Sequence, residues 1–345
     1  MLKRKILALL ILCAIFLTGC GKVKLSTGLS KTTFAKIDGY KVGVDRVELL
    51  LSEEKFAYEN TLDVNVWDEK LNDETAEEYV KNKVKDTVEH IQILKNMADD
   101  MKIELTSEEE TKLKGLAQMY YEELPQEVKD EGRFTADTVE ELYQDILLAE
   151  KVFYLVTDTV DTEVSADEAR LINVQYIFFS IQDDSVDKND TTAMEAYKKK
   201  KYADALGVME RIEKGEDFGN LAREYSDDTR FNLEFGRGQY SDVFENAAFE
   251  LEVGQVSGIV ESENGYYIIK CNNDNLESDY NKRSKEIVFS RRTKMFAEHY
   301  AEYIKGIECE FNDKYWSELS IKDLKSTSGK LYEVYKNAII STQTQ

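Results

Sequence analysis

Apolar residues recur at helical spacing through most of the chain. Side chains at positions i, i+3 and i+4 line one face of a helix, so an apolar series with this spacing predicts an amphipathic helix. The pattern is clearest around Leu142, Ile146 and Phe153. Helices are predicted at 45–61, 73–101, 107–124, 135–160, 193–214, 278–306 and 313–321.

Strand patterns occupy much less of the sequence. Residues 34–42 alternate around Asp38-Gly39, a dipeptide that favours a tight hairpin turn. Residues 171–179 are rich in β-branched and aromatic side chains and predict a buried strand. Short strands are also predicted near the end of the stretch 217–271 and at 309–311. Long helices with few short strands indicate the α+β class.

The order of these elements predicts that one domain is inserted in another. A long helix returns after the strand-containing stretch, and its apolar stripe, which includes Phe296 and Tyr300, must be buried. The N-terminal helices are the expected partner of that stripe. We therefore predict a discontinuous helical, chaperone-like domain (34–168 and 276–321) around a domain with a small antiparallel sheet (169–275), followed by a polar, frayed tail (322–345).

The first residues have the features of an export signal. Lys3, Arg4 and Lys5 precede the apolar run 6–17, which is too short to span a bilayer comfortably. The run ends in Leu-Thr-Gly-Cys, which resembles the lipobox of bacterial lipoproteins and implies a signal peptide at 1–19 and acylation of Cys20. Acyl chains would hold the protein on a membrane, with the polar residues 20–33 as a tether. An uncleaved anchor or ordinary secretion is the alternative.

Composition and charge exclude several classes of function. The chain has 68 acidic and 45 basic residues and a net charge of −23, so it lacks the basic surface that nucleic-acid binding requires. A solvated acidic surface explains this charge, although a preference for basic segments of partner proteins would also fit. Repeated βα units are missing, which disfavours a two-lobed solute-binding protein.

No metal site or cofactor is predicted. His90 and His299 are the only histidines and lie far apart in charged segments. Four aspartates crowd the loop 183–190, but the glycine and the final glutamate of a calcium loop are missing. Cys271 and Cys309 could form a disulfide outside the cell, but two buried thiols are favoured because each cysteine lies in or ends an apolar, strand-like run.

The stretch 217–271 has the most recognisable order of elements. A helix closes at 221–225, a Ser-Asp-Asp turn follows, and Gly236-Arg237-Gly238-Gln239 predicts a hairpin before a helix that carries Phe244 and Phe249. This order and spacing resemble the second half of a parvulin-type (PpiC) peptidyl-prolyl isomerase domain. The discontinuous organisation is similar to the extracytoplasmic foldase lipoproteins of Gram-positive bacteria and to periplasmic SurA-like chaperones.

The resemblance implies a site that holds a proline ring in an apolar slot beside polar groups. Phe244 falls on the phenylalanine of the slot and Tyr240 on its methionine, so both are substrate-binding candidates. Asp228 falls on a position that is Asp or Cys in the family, whereas Tyr176 and Tyr267 fall on its two histidines. Asp228, Tyr176 and Tyr267 are therefore the catalytic candidates implied by the resemblance.

The loss of both histidines leaves isomerase activity open. Tyrosine donates and accepts hydrogen bonds, but its ordinary pKa is near 10, against about 6.5 for histidine. Tyr176 and Tyr267 could form a hydrogen-bonded floor under Asp228, or they could simply pack in an aromatic core. Asp228 could equally cap the turn in which it lies, and Phe244 could pack against the sheet.

The resemblance implies a membrane-anchored foldase on the outer face of the bacterial cytoplasmic membrane. Its partners would be unfolded secreted proteins with X-Pro bonds, and it would need no cofactor. The alternative is a non-catalytic chaperone, or holdase, with a degenerate parvulin domain. The oligomeric state stays open, with a dimer as one option.

Overall fold

The computed structural model of the protein describes residues 22–26, 28–62, 66–71, 73–182, 190–276 and 280–336, with the backbone alone at 22–26 and 71. The chain forms two compact units. The first unit contains the residues up to Val160 and those from Arg292 onward, and the second unit spans Asp161–Arg291. The predicted signal peptide, Cys20 and most of the acidic loop lie outside the described residues.

The N-terminal part of the first unit is mainly helical. Its strands are β1 (Lys22–Ser26), β2 (Thr33–Ile37), β3 (Tyr40–Gly43), β4 (Lys70–Leu71) and β5 (Glu74–Thr75). Its helices are α1 (Val44–Thr61), α2 (Ala76–Asp100), α3 (Ser107–Glu122), α4 (Gln126–Glu131) and α5 (Ala136–Val156). The four long helices confirm the predicted segments.

Local capping and turn residues explain where the helices begin and where the chain reverses direction between β2 and β3. Thr106 and Thr135 each close a capping box, as does Thr75, so α2 begins at Ala76 rather than at the predicted position 73. The predicted hairpin is also confirmed, because β2 and β3 pair antiparallel around Asp38 and Gly39. These two residues have φ angles of 48° and 90°, the left-handed values that a tight hairpin turn requires.

The second unit contains one antiparallel sheet and the helices that cover it. Its elements are α6 (Ala166–Ala169), β6 (Leu171–Ser180), α7 (Thr191–Glu213), α8 (Phe218–Tyr225), β7 (Asn232–Gly236), α9 (Asp242–Phe249), β8 (Val260–Ser262) and β9 (Gly265–Leu276). The strands lie in the order β7-β6-β9-β8. The small antiparallel sheet and the predominance of helices confirm the α+β class.

Successive residues of β6 face opposite sides of this sheet, as the pleat of a strand requires. Val174 and Tyr176 pack with Phe244 of α9 on one side, which we call the site face. Ile177 and Phe179 pack on the other side with the buried side chains of α7 and α8, which include Ala205, Val208, Phe218 and Leu221. Both sides are therefore covered, and the strand is apolar along most of its length.

The chain then returns to the first unit through α10 (Tyr280–Tyr303), β10 (Glu308–Asn312) and α11 (Asp313–Glu318). β10 lies between β1 and β2 in a four-stranded sheet of order β1-β10-β2-β3. The predicted apolar stripe is buried as expected, since the ring of Phe296 lies 5.3 Å from that of Phe153 and the ring of Tyr300 lies 5.6 Å from that of His90.

One expectation about the C-terminal part was wrong. Leu324, Thr327, Leu331 and Tyr335 are buried, so the described part of the supposed tail, residues 322–336, is packed rather than frayed. Its anchor is Glu53 of α1, whose buried carboxylate accepts hydrogen bonds from the Thr327 hydroxyl and the Leu331 amide.

Cys271 is a buried free thiol, as predicted, and Cys309 is buried as well. In the part of the chain that the structure describes, no helix is both long enough and apolar enough to cross a bilayer.

Candidate functional site

Two neighbouring strands place the two candidate tyrosines together. Tyr176 lies on β6 and Tyr267 on β9, where Tyr267 pairs directly with Phe178. The centroids of the Tyr176 and Tyr267 rings are 5.8 Å apart, and the Phe178 ring stacks on Tyr267 at 4.5 Å. Strands separated by about ninety residues in sequence thus form one aromatic surface on the site face.

Helix α9 and the loop before it supply the two predicted slot residues. The ring of Phe244 lies edge-on to Tyr176 at 5.8 Å and to Tyr267 at 5.1 Å. The ring of Tyr240 lies 5.6 Å from Phe244, between this helix and the open surface. Phe235 of β7, which the sequence did not single out, packs beneath Tyr240 at 4.9 Å.

Asp228 lies in the turn after α8 and connects the turn to the tyrosines. Its Oδ2 accepts a hydrogen bond of 2.6 Å from the hydroxyl of Tyr176, and its Oδ1 accepts one of 3.0 Å from the amide of Arg230. Asp228 therefore caps the turn and also faces the aromatic cluster, and its catalytic role stays a prediction. The adjacent Asp227 instead forms a salt bridge with Lys201, in which Oδ2 and Nζ are 2.6 Å apart.

Burial divides the cluster into a floor and a rim. Tyr176 and Phe244 are 5% and 4% exposed, Tyr267 is partly buried, and Tyr240 is 45% exposed. Burial raises the pKa of the Tyr176 hydroxyl above its ordinary value, and so does the hydrogen bond to Asp228. Burial also raises the pKa of Tyr267, and the nearby charge of Asp228 adds to this. Both phenols are therefore protonated donors at neutral pH.

The position of Tyr240 depends on Glu245, a residue that sequence reasoning missed. The Glu245 carboxylate is 4% exposed and accepts hydrogen bonds from the amides of Gly238, Gln239 and Tyr240 at 2.7 to 2.9 Å. An acidic residue in the first turn of α9 was the only signal in the sequence, and it does not reveal that the carboxylate reaches back to the preceding loop.

The segment 236–239 was predicted to be a hairpin, and this is wrong. β7 ends at Gly236 and the chain turns directly into α9, with Gly238 at a φ of 83°. Glycine permits that angle, and Glu245 binds the amides that a second strand would otherwise have paired. The loop therefore closes over the rim of the aromatic cluster instead of extending the sheet.

The cluster can hold an apolar ring and present hydroxyl groups to it. Tyr240, Phe244 and Tyr267 supply aromatic surface, and the phenol of Tyr267 is a hydrogen-bond donor within it, whereas that of Tyr176 donates to Asp228. Within the described residues, no group of three or more His, Cys, Asp and Glu side chains could hold a metal ion. The structure thus brings all five predicted residues together, while their roles stay predictions.

Comparison with known proteins agrees with this geometry. Residues 177–273 match the family model described as "Rotamase: PPIC-type PPIASE domain". The chain is 26% identical over 314 residues to the foldase protein PrsA of Clostridium botulinum, an alignment that covers 82% of this chain and 90% of the relative. It is 38% identical over 98 residues to PrsA of Geobacillus kaustophilus, which covers 26% of this chain and 35% of that relative.

Among solved structures, the chain is similar to the peptidylprolyl isomerase PrsA of Bacillus cereus, with 20% identity and a TM-score of 0.38 over 91% of this chain and 99% of the other. The similarity to PrsA foldases in sequence extends well beyond the residues matched by the rotamase model. The resemblance to parvulin-type, PrsA-like foldases that the sequence predicted is therefore confirmed.

Proposed function

We propose that this protein is an extracytoplasmic foldase whose parvulin-like domain, residues 169–275, binds and isomerises X-Pro segments of unfolded proteins. The observation that carries the proposal is the convergence of Tyr176, Asp228, Tyr240, Phe244 and Tyr267 on one face of a domain that matches the rotamase model. The helical domain, 34–168 and 276–321, would bind unfolded chains in the manner of a chaperone.

The chemistry requires no nucleophile and no cofactor. Rotation about a peptide bond gives up amide resonance, a barrier of roughly 18 to 20 kcal/mol. A twisted amide is less polar than a planar one, so an aromatic slot that excludes water favours it. Phe244 and Tyr240 would hold the proline ring, and the hydroxyl of Tyr267 would donate to the amide, while Asp228 fixes Tyr176 in the floor of the slot.

Steady-state isomerisation of a short X-Pro peptide tests the catalytic part. The Tyr240→Ala variant, at an exposed rim position, should lower kcat/KM by about tenfold, or about 1.4 kcal/mol of transition-state stabilisation. Tyr202→Ala is the matched control, because Tyr202 is equally exposed on the opposite side of the sheet. No rate above background at micromolar protein would reject isomerase activity.

A non-catalytic holdase is the second candidate. It is favoured by the near-complete burial of Tyr176, whose hydroxyl already donates to Asp228 and is not free to donate to a substrate. A holdase would suppress aggregation of an unfolded client even after Tyr176, Tyr267 and Asp228 are replaced. Loss of suppression in those variants would instead tie client binding to the parvulin-like domain.

The location of the protein is proposed from its first residues. The basic, apolar and Leu-Thr-Gly-Cys sequence supports acylation of Cys20 and an anchor on the outer face of the cytoplasmic membrane. Metabolic labelling with palmitate should mark the protein, and Cys20→Ala should abolish the label and release the protein from membranes. A label retained in Cys20→Ala would contradict this assignment.

A further inference from the structure

A groove of about 470 Å³ lies on the first unit, along α5 and beside the start of α3. We call it the α5 groove. Its apolar wall consists of Ile103, Leu147, Tyr154 and Leu155. Tyr154 and Leu155 are each 47% exposed, although they are large and adjacent. The groove therefore offers exposed apolar surface to which a partner could bind.

The floor of the same groove carries a carboxylate with one unsatisfied oxygen. Glu150 is 5% exposed, and its Oε1 makes no hydrogen bond. A buried polar atom without a partner costs free energy, so such atoms are rare unless a ligand completes them. Glu150 therefore points to a ligand independently of the apolar wall.

Lys151 in the lining and Arg292 beside Tyr154 are engaged with other groups. Lys151 is engaged with Glu109 at 2.6 Å and with the carbonyl of Glu104 at 3.0 Å. Arg292 lies over the ring of Tyr154 and donates to Thr157. Of the charged side chains that line the groove, Glu109, Glu150 and Asp158 are acidic and Lys151 is basic.

We propose that the α5 groove binds segments of unfolded client chains in which an apolar side chain is followed closely by Lys or Arg. The apolar side chain would pack on Leu147 and Leu155, and the cation would pair with Glu150. The proposal rests on the proposed foldase function and adds to it the class of segment that the helical domain recognises.

Charge complementarity selects this occupant over others. A cationic side chain can lay its stem on apolar surface while its head reaches a carboxylate, and it gains a further interaction with the Tyr154 ring. An acidic segment would be repelled by the lining residues. A second copy of this chain, at a net charge of −23, and an anionic membrane are disfavoured for the same reason.

Because of Glu150, the affinity of the α5 groove should depend on pH. Burial raises the pKa of this carboxyl to about 7. The hydroxyl of Tyr335, in the segment 331–336, acts on this carboxyl in the opposite direction and favours its charged form, and Tyr154 of the same helix and Glu109 of α3 lie near these two groups. None of these groups is a cation, and a bound cation would favour the charged form. Affinity for a cationic segment should therefore rise as pH increases through neutrality.

Fluorescence anisotropy with the intact protein tests the proposal. The probes are two labelled, proline-free peptides of twelve residues with the same leucines, one carrying lysines and the other glutamates. The lysine peptide should bind at least about tenfold more tightly, and Glu150→Gln should remove that preference together with its increase between pH 6 and pH 8. Leu155→Asp, at an exposed position, should also weaken binding, whereas the control Glu110→Gln on α3 should not.

Equal binding of the two peptides, or full binding by Glu150→Gln, would overturn the proposal. Self-association that Leu155→Asp abolishes would show that a second copy occupies the groove, and this too would overturn it. The proposed function has its own test: it is rejected if the protein neither isomerises X-Pro peptides nor suppresses aggregation of an unfolded client. Tyr240→Ala should leave binding of the proline-free peptides unchanged, so the two failures are distinguishable.

Discussion

At the scale of single residues, the hydrogen bond from Tyr176 to Asp228 links the polar and apolar parts of the site. Tyr176→Phe keeps the ring contacts with Phe244 and Tyr267 and removes only the hydroxyl. Because the acceptor is a carboxylate, we expect a loss of about 1–2 kcal/mol in the free energy of unfolding. Urea unfolding measures it, with Tyr202→Phe as the control. An unchanged stability would show that Asp228 finds another donor.

A second prediction at this scale concerns the replacement of Glu245. Glu245→Ala leaves the amides of Gly238, Gln239 and Tyr240 without their acceptor, at a cost of about 2 kcal/mol. Amide hydrogen exchange at these three positions should become faster, and isomerisation should weaken in parallel because Tyr240 loses its position. Glu250→Gln, on an exposed residue just after α9, is the matched control. Unchanged exchange would contradict the role given to Glu245.

The candidate site could be predicted only in part from the sequence. A family resemblance, which indicates the positions that converge, predicted Tyr176, Asp228, Tyr240, Phe244 and Tyr267. Glu245 and Phe235 did not, because no local pattern tells which loop amides a carboxylate reaches or which strand residue lies under a rim residue. Those contacts arise only when β7 and α9 are brought together.

At the scale of elements, the start of β9 is the tightest point of the sheet. Gly265 has a φ of 148°, and a Cβ there would lie 2.1 Å from the carbonyl oxygen of Phe179 on β6. Gly265→Ala should therefore destabilise the second unit by more than about 2 kcal/mol, since backbone cannot move aside cheaply.

Gly258→Ala is the matched control for this substitution. No atom lies within 4 Å of the Cβ position at Gly258, so its stability should change by less than about 0.5 kcal/mol. Thermal unfolding followed by the near-ultraviolet signal of the tyrosines measures both variants. Equal stabilities would mean that β6 and β9 separate at this end without cost.

Helices were the most predictable elements, and the C-terminal segment the least. The capping boxes of Thr106 and Thr135 each involve residues only three positions apart. Periodicity and caps therefore predicted α3 and α5 correctly. Residues 322–336 are polar on average, and their burial depends on Glu53, which lies far away in sequence. Local composition therefore indicated a frayed tail where long-range contacts produce a packed one.

At the scale of the whole molecule, Glu150 makes stability depend on pH. Its carboxyl has a pKa of about 7 in the folded chain, against an ordinary value of 4.5. Between these pH values the folded chain keeps a proton that the unfolded chain has lost. The free energy of unfolding therefore falls as pH rises from 4.5, and the full loss is reached above about pH 7. Glu150→Gln should therefore gain up to about 3 kcal/mol over the wild type above neutrality and nothing below pH 4.5.

Tryptophan fluorescence during urea unfolding reports this gain, because Trp67 and Trp316 both belong to the first unit. The control is Glu110→Gln, which should show no such divergence. A constant difference between Glu150→Gln and the wild type at every pH would contradict the buried, protonatable state of this side chain.

The division of the first unit between the two ends of the chain has a consequence for its synthesis. Phe296 covers Phe153, and Thr327 and Leu331 satisfy Glu53, only after the ribosome has passed residue 331. A nascent chain that ends before residue 292 already holds every residue of the second unit. The helices made first must therefore wait for the last residues, while the portion made in between can complete its core early.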